Sequence, residues 1–225
     1  MAEQAGRLRR RPAYFRLLAG ILLSYVLIIS IGDGSGGAPV RIALLGYLVY
    51  TAARIRARWS ITAWLIAISG VLLVLTAVAA LVGSAQLRSG VVGGGSFVLA
   101  GVTIFTIGSS LRARWLVDTA TVLGVLCIYL LLALLFASLH QVLSAFISPY
   151  VNGVSGLPTA SDLLYFSVIT MATVGFGDIV PVAETARAVT VLEALTGQLY
   201  LVSVVAAVVG GWQGRRPQDR GGEPD

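Results

Sequence analysis

The residues best suited to do chemistry form one short run, Thr173-Val174-Gly175-Phe176-Gly177-Asp178. Two glycines at alternate positions favour backbone torsions that other residues avoid, so this run is not ordinary helix. In an extended course the carbonyls of Thr173, Val174, Gly175 and Phe176 can turn the same way. A ring of such carbonyls replaces the water shell of a desolvated cation. No Ser/His/Asp, metal-ligand or nucleotide constellation competes with it, and the single histidine, His140, excludes most of them. The Gly93-Gly94-Gly95-Ser96 run lacks the Lys-Ser/Thr of a phosphate loop. Neither covalent catalysis nor an organic cofactor is expected.

The run needs elements that hold it at membrane depth, and the chain is built to supply them. Its 225 residues are 57% apolar and 12% charged, with a mean hydropathy of +0.89. Soluble domains carry roughly 25% charged residues. The composition excludes a soluble enzyme, a chain disordered throughout and a disulfide scaffold; Cys127 is the single cysteine. Spanning helices need roughly 20 apolar residues. Six are read, near 13–31, 38–53, 60–83, 91–111, 115–141 and 184–211. The second is short and carries Arg41, expected to snorkel outward. Gly90 and Gly94 read as a close-packing pair of small residues.

All sixteen basic residues are arginine. With the N-terminus cytoplasmic, thirteen of them fall inside and Arg41, Arg88 and Arg187 remain outside, as the positive-inside rule demands. Trp59, Trp115 and Trp212 adjoin the cytoplasmic arginines as interface anchors. The net charge of +6 is therefore read as orientation and contact with membrane lipids, not nucleic acid. The reading divides the chain into a cytoplasmic arm (1–12), a four-helix membrane domain (13–114), a module carrying the glycine run (115–212) and a disordered cytoplasmic tail (213–225). That tail is too short for a cytoplasmic ligand domain. The place is a cell membrane, taken as a bacterial inner membrane, crossed several times with both termini cytoplasmic.

Ahead of the glycine run, residues 160–172 read as a helix of about 20 Å at helical rise, too short to cross. Thr159 and Asp162 can form its capping box. It enters and returns, and its C-terminal, negative end aims at the run.

Thr173-Val174-Gly175-Phe176-Gly177-Asp178, set between two spans and behind a re-entrant helix, resembles the selectivity filter of the potassium channel family. The resemblance covers about Asp118 to Gly210, as outer helix (115–141), pore helix (160–172), filter (173–178) and inner helix (184–211). It implies an all-α membrane protein with six transmembrane helices, one re-entrant pore helix and filter loop. It also implies a homotetrameric pore, because one loop cannot close a ring. Permeant K⁺ would be held by Thr173, Val174, Gly175 and Phe176, with Gly177 permitting the geometry and Asp178 at the outer mouth. Phe176 stands where tyrosine is more frequent in the family, which puts filter rigidity in doubt more than selectivity.

Four residues of the inner helix are gating candidates. Gly197 is a hinge or a packing glycine, and its position resembles the family's hinge. Glu193, an intramembrane carboxylate, bonds behind the filter or faces the ion path. Leu201 and Val205 line an apolar cavity or close it. His140 is read as a solvated interface residue and Cys127 as packing. Residues 91–111 contain no Arg or Lys, so the six-span layout lacks a voltage sensor's charge ladder. The function read is passive, potassium-selective transport that is not voltage-gated. A weakly selective cation channel, or a non-conducting membrane sensor or subunit that keeps the pore fold, stands as the alternative.

Overall fold

A computed structural model describes residues 2–31, 37–56, 67–72, 74–75, 78–79, 83–112 and 119–213. Six helices with defined bounds follow in order: α1 (Ala2–Ile31), α2 (Gly37–Arg56), α3 (Ala85–Arg112), α4 (Thr119–Phe146), α5 (Ala160–Met171) and α6 (Glu184–Gln213). A two-residue strand pair, β1 (Val151–Asn152) and β2 (Val180–Pro181), runs antiparallel with Val151 opposite Pro181. Helical turns at 67–72 fall in the stretch read as the third span; most of that span, with Trp59, Trp115 and residues 214–225 of the tail, lies outside the described residues.

Among the described residues, four helical stretches are long and apolar enough to cross a membrane: Pro12–Ile31, Ala85–Leu111, Thr119–Phe146 and Glu184–Ala207. α2 is apolar over Gly37–Ala53, shorter than a full span. Helix α1 begins at Ala2, within the arm placed at 1–12, and α4 continues five residues past the end read from sequence.

The first helices pack on the second half of their own chain. Tyr14, Leu17 and Ile21 of α1, Ile42 and Leu45 of α2, Leu99 of α3 and Leu131 of α4 share one buried cluster. In lipid the tails are as apolar as these side chains, so close van der Waals contact and hydrogen bonds hold such a cluster together. Tyr25 supplies one bond, its hydroxyl donating to the Leu130 carbonyl at 2.7 Å. Cys127 is buried, its Sγ 3.9 Å from the Tyr14 carbonyl.

Three sequence expectations change here. The close-packing pair on α3 is Gly90 with Gly93, not Gly94. A Cβ at Gly93 would lie 3.1 Å from the Val142 backbone nitrogen and one at Gly90 3.4 Å from the Phe146 ring, whereas Gly94 faces open space. The i, i+3 spacing follows the stripe that α4 covers. Arg41 does not snorkel: it is 7% exposed, enclosed between helices. His140 is not solvated, being 0% exposed on α4. Its burial depends on partners distant in sequence, described below.

Candidate functional site

The short helix α5 aims the glycine run. Its N-terminus is fixed by the expected capping box, with the Asp162 amide donating to Thr159 Oγ1 at 3.2 Å and the Thr159 amide to Asp162 Oδ2 at 2.9 Å. Such a cap contributes about 1 kcal/mol. At the other end, the Tyr129 hydroxyl of α4 donates to the Met171 carbonyl at 3.1 Å, satisfying one of the orphan acceptors of the last turn. Gly197 of α6 fits beneath the same turn. A Cβ there would stand 3.0 Å from the Met171 carbonyl oxygen and 3.1 Å from its Cα. Tyr200 completes the support: its ring stacks on Tyr129 at 6.0 Å and its hydroxyl donates to the Val125 carbonyl at 2.7 Å.

Beyond Met171 the chain turns back on itself. The Val174 and Gly175 amides both donate to the Ile169 carbonyl, at 2.8 and 3.2 Å. Positive φ values then recur at every second residue: +57° at Thr173, +52° at Gly175 and +80° at Gly177. Alternating handedness along a strand is the geometry that turns successive carbonyls to one side. Glycine adopts it without strain, whereas Thr173 does so at a cost of order 1 kcal/mol or more. The run is exposed in the single chain, Val174 at 51% and Phe176 at 70%. Residues 173–178 are thus one contiguous, uncovered loop. Gly197 and Glu193 turn towards α5 behind it, and Leu201 and Val205 lie farther along α6.

Asp178 is braced from α5. The Tyr165 hydroxyl donates to Asp178 Oδ2 at 2.8 Å, and the Tyr165 ring stacks on Phe176 at 6.4 Å, nearly parallel at 7°. The loop between α4 and α5 adds a clamp. Gly153, at φ +94°, lies against the Asp178 carbonyl, with which any Cβ would collide. The pairing of β1 with β2 holds the loop there. The Asn152-Gly153 pair is a turn signal in the sequence, but its partner is not legible locally.

Behind α5 lies a buried polar link. The Tyr150 hydroxyl is 2.7 Å from His140 Nδ1, and His140 Nε2 is 3.1 Å from Glu193 Oε2. Burial, then the Glu193 carboxylate, push the Tyr150 phenol up from its ordinary value, so it remains a donor. Tyr150, His140 and Glu193 thus form one continuous chain of hydrogen bonds, with the roles of the two ring nitrogens set by the histidine tautomer. His140 and Glu193 are both 0% exposed, and Ser167 of α5 is buried beside the carboxylate. The His140 ring meets Phe166 of α5 edge-on at 5.3 Å. The link ties α4, α5, α6 and the loop between α4 and α5 into one block. Glu193 is thus engaged behind the glycine run.

The exposed side of α6 is wide and apolar. Leu192, Leu195, Leu199, Val202 and Val205 are each more than half exposed, whereas Leu201 is half-buried. In an apolar 18-residue window of Glu184–Ala207 only 11% of the residues are buried within the chain, against 28%, 50% and 39% in the matching windows of the other three membrane-length stretches. One chain leaves both this face and the glycine run unpartnered.

Residues 124–211, about two fifths of the chain, match the family model described as Ion channel. The chain is also 42% identical over 48 residues to Two-pore potassium channel 4 of Arabidopsis thaliana. That stretch is 21% of this chain and 17% of the plant protein. The match and the four apolar helices support a multi-pass membrane protein with an ion-channel-type region at residues 124–211. They mark it as a transporter rather than an enzyme.

Proposed function

We propose that the protein is a potassium-selective channel. Four chains pass K⁺ down its gradient through a central pore lined by Thr173, Val174, Gly175 and Phe176. The observation that carries the reading is the alternation of positive φ at residues 173, 175 and 177 in a loop held by a capped twelve-residue helix. Each chain contributes one quarter of a carbonyl ring, and dehydrated K⁺ is coordinated by stacked rings and by the Thr173 hydroxyl. α5 is the pore helix, whose C-terminal dipole faces the ion path. α6 is the inner helix, and its exposed face meets neighbouring chains and the pore.

Support for assembly comes from the exposure of the loop and of α6 in a single chain. Asp178 sits at the outer mouth, fixed by Tyr165, and attracts cations. In this reading α1 and α3 serve as a membrane belt packed on α4. The stretch 91–111 carries no Arg or Lys to move in the field, so opening is not steeply voltage-dependent. The gating step lies in α6, at Gly197, Glu193, Leu201 and Val205. Gly197 and Glu193 would act through their contacts with α5, and Leu201 and Val205 as an apolar constriction.

Bilayer recordings of the purified full chain test selectivity. With K⁺ on one side and Na⁺ on the other, the reversal potential should approach the K⁺ equilibrium potential. A reversal potential near zero would replace this reading with a weakly selective cation pore. Mass measurement of the detergent-solubilised complex should give four chains.

A further inference from the structure

Glu193, Gly197 and Tyr200 stand four and then three positions apart on α6, so they share one face of that helix. Each meets a group that fixes the glycine run. Glu193 meets His140 and, through it, Tyr150. The Tyr150 carbonyl in turn accepts the Val182 amide at 3.0 Å and the Ala183 amide at 3.3 Å, beyond the far end of the run. Gly197 lies against Met171, the last residue of α5. Tyr200 makes its hydrogen bond to α4.

The contacts of Tyr200 hold Tyr129 in two ways. The two rings stack at 6.0 Å with an interplanar angle of 23°. The Tyr200 hydroxyl also donates at 2.7 Å to the Val125 carbonyl, one helical turn before Tyr129. Tyr129 then donates to the Met171 carbonyl at 3.1 Å. That carbonyl stands at the root of the run. Next to it the Thr173 amide bonds the Thr170 carbonyl, and the Val174 and Gly175 amides fold back on Ile169. A tyrosine side chain turns about two bonds, so a stacked partner fixes where its hydroxyl points. At membrane depth no water replaces that hydroxyl once it swings away.

We infer that Tyr200 is a positioning residue for the glycine run. Acting through Tyr129, it fixes the Met171 carbonyl and with it the turn from which residues 173–175 start. The inference rests on the channel reading for what the run does, and adds a regulation of it: a shift of α6 at Tyr200 reaches the root of the run by way of α4.

Amide hydrogen exchange of the full-length detergent complex, followed by mass spectrometry on peptides covering 172–178, tests the route without measuring current. Its failure and that of the channel reading are therefore distinguishable. Tyr129→Phe should speed exchange at 173–175 about fivefold, as the loss of one hydrogen bond implies. Tyr200→Phe keeps a ring and loses the hydroxyl, and should speed the same amides at least twofold. The Tyr129→Phe/Tyr200→Phe protein should exchange no faster than Tyr129→Phe, because both changes act on one contact. Tyr25→Phe deletes a bond of the same kind, from α1 to the Leu130 carbonyl of α4, and should leave 173–175 unchanged. In recordings, current decay during sustained opening should quicken in Tyr200→Phe and Tyr129→Phe but not in Tyr25→Phe. Unchanged exchange at 173–175 in Tyr200→Phe would overturn the inference. So would a double variant whose effect multiplies those of the singles, or an equal rise in Tyr25→Phe, which would trace the effect to general loosening of α4.

Discussion

The link between His140 and Glu193 offers a sharp energetic test. Both side chains are fully buried and meet at 3.1 Å. Glu193→Leu leaves His140 Nε2 without its partner, and His140→Phe leaves the buried Glu193 carboxyl without its own. Breaking one side of a buried, charge-assisted pair costs about 3–5 kcal/mol. Replacing both sides by apolar groups of similar volume is far cheaper, because neither polar group remains stranded. His140→Phe would also strand the Tyr150 hydroxyl, 2.7 Å from Nδ1, so the cycle belongs in a Tyr150→Phe background. In that background each single change should cost about 3 kcal/mol and the double change less than about 2. The coupling energy is then several kcal/mol. For a chain of this size about 3 kcal/mol corresponds to a fall in Tm of roughly 6–12 °C. Thermal unfolding of the detergent-purified protein reads all four corners. Additive losses, with the double mutant worse than either single, would refute the link as a paired unit.

Other outcomes follow from the site. Gly197→Ala places a Cβ 3.0 Å from the Met171 carbonyl; overpacking should cost about 1–3 kcal/mol and lower Tm, and an unchanged Tm would leave the glycine free to act as a hinge. Tyr165→Phe removes the hydroxyl that holds Asp178 at 2.8 Å; currents should decay faster during sustained opening, and unchanged decay would refute the brace. Phe176→Tyr adds a phenolic hydroxyl beside Tyr165 and should slow that decay. Conductance–voltage curves should show no gating charge comparable to that of a voltage sensor, and a steep curve would contradict the reading of residues 91–111.

What the sequence made legible was local. The alternating glycines, the Thr159–Asp162 box and the short apolar helix between them are set by neighbours within a few residues. The structure places the cap and the positive φ values there. Contacts made across the fold were not legible. His140 reads as an interface residue because Glu193 lies 53 positions away, and nothing nearby in sequence shows that both turn inward. Arg41 reads as a snorkelling charge because the cavity it lines is assembled from α2, α3, α4 and the start of α5. Gly93 displaces Gly94 because the stripe facing α4 depends on how the helices cross. Gly197 reads as a hinge or as packing from sequence, and its contacts with Met171 favour packing.

The central claim is that Thr173–Asp178 conducts K⁺, and flux into liposomes holding the purified full chain tests it most directly. Gly175, at φ +52°, is the control position, since an aspartate there adds both a strained backbone and a charge. K⁺ uptake should far exceed Na⁺ uptake under matched gradients and be abolished by Gly175→Asp in protein that still assembles. Equal K⁺ and Na⁺ uptake, or K⁺ uptake that survives Gly175→Asp, would contradict it.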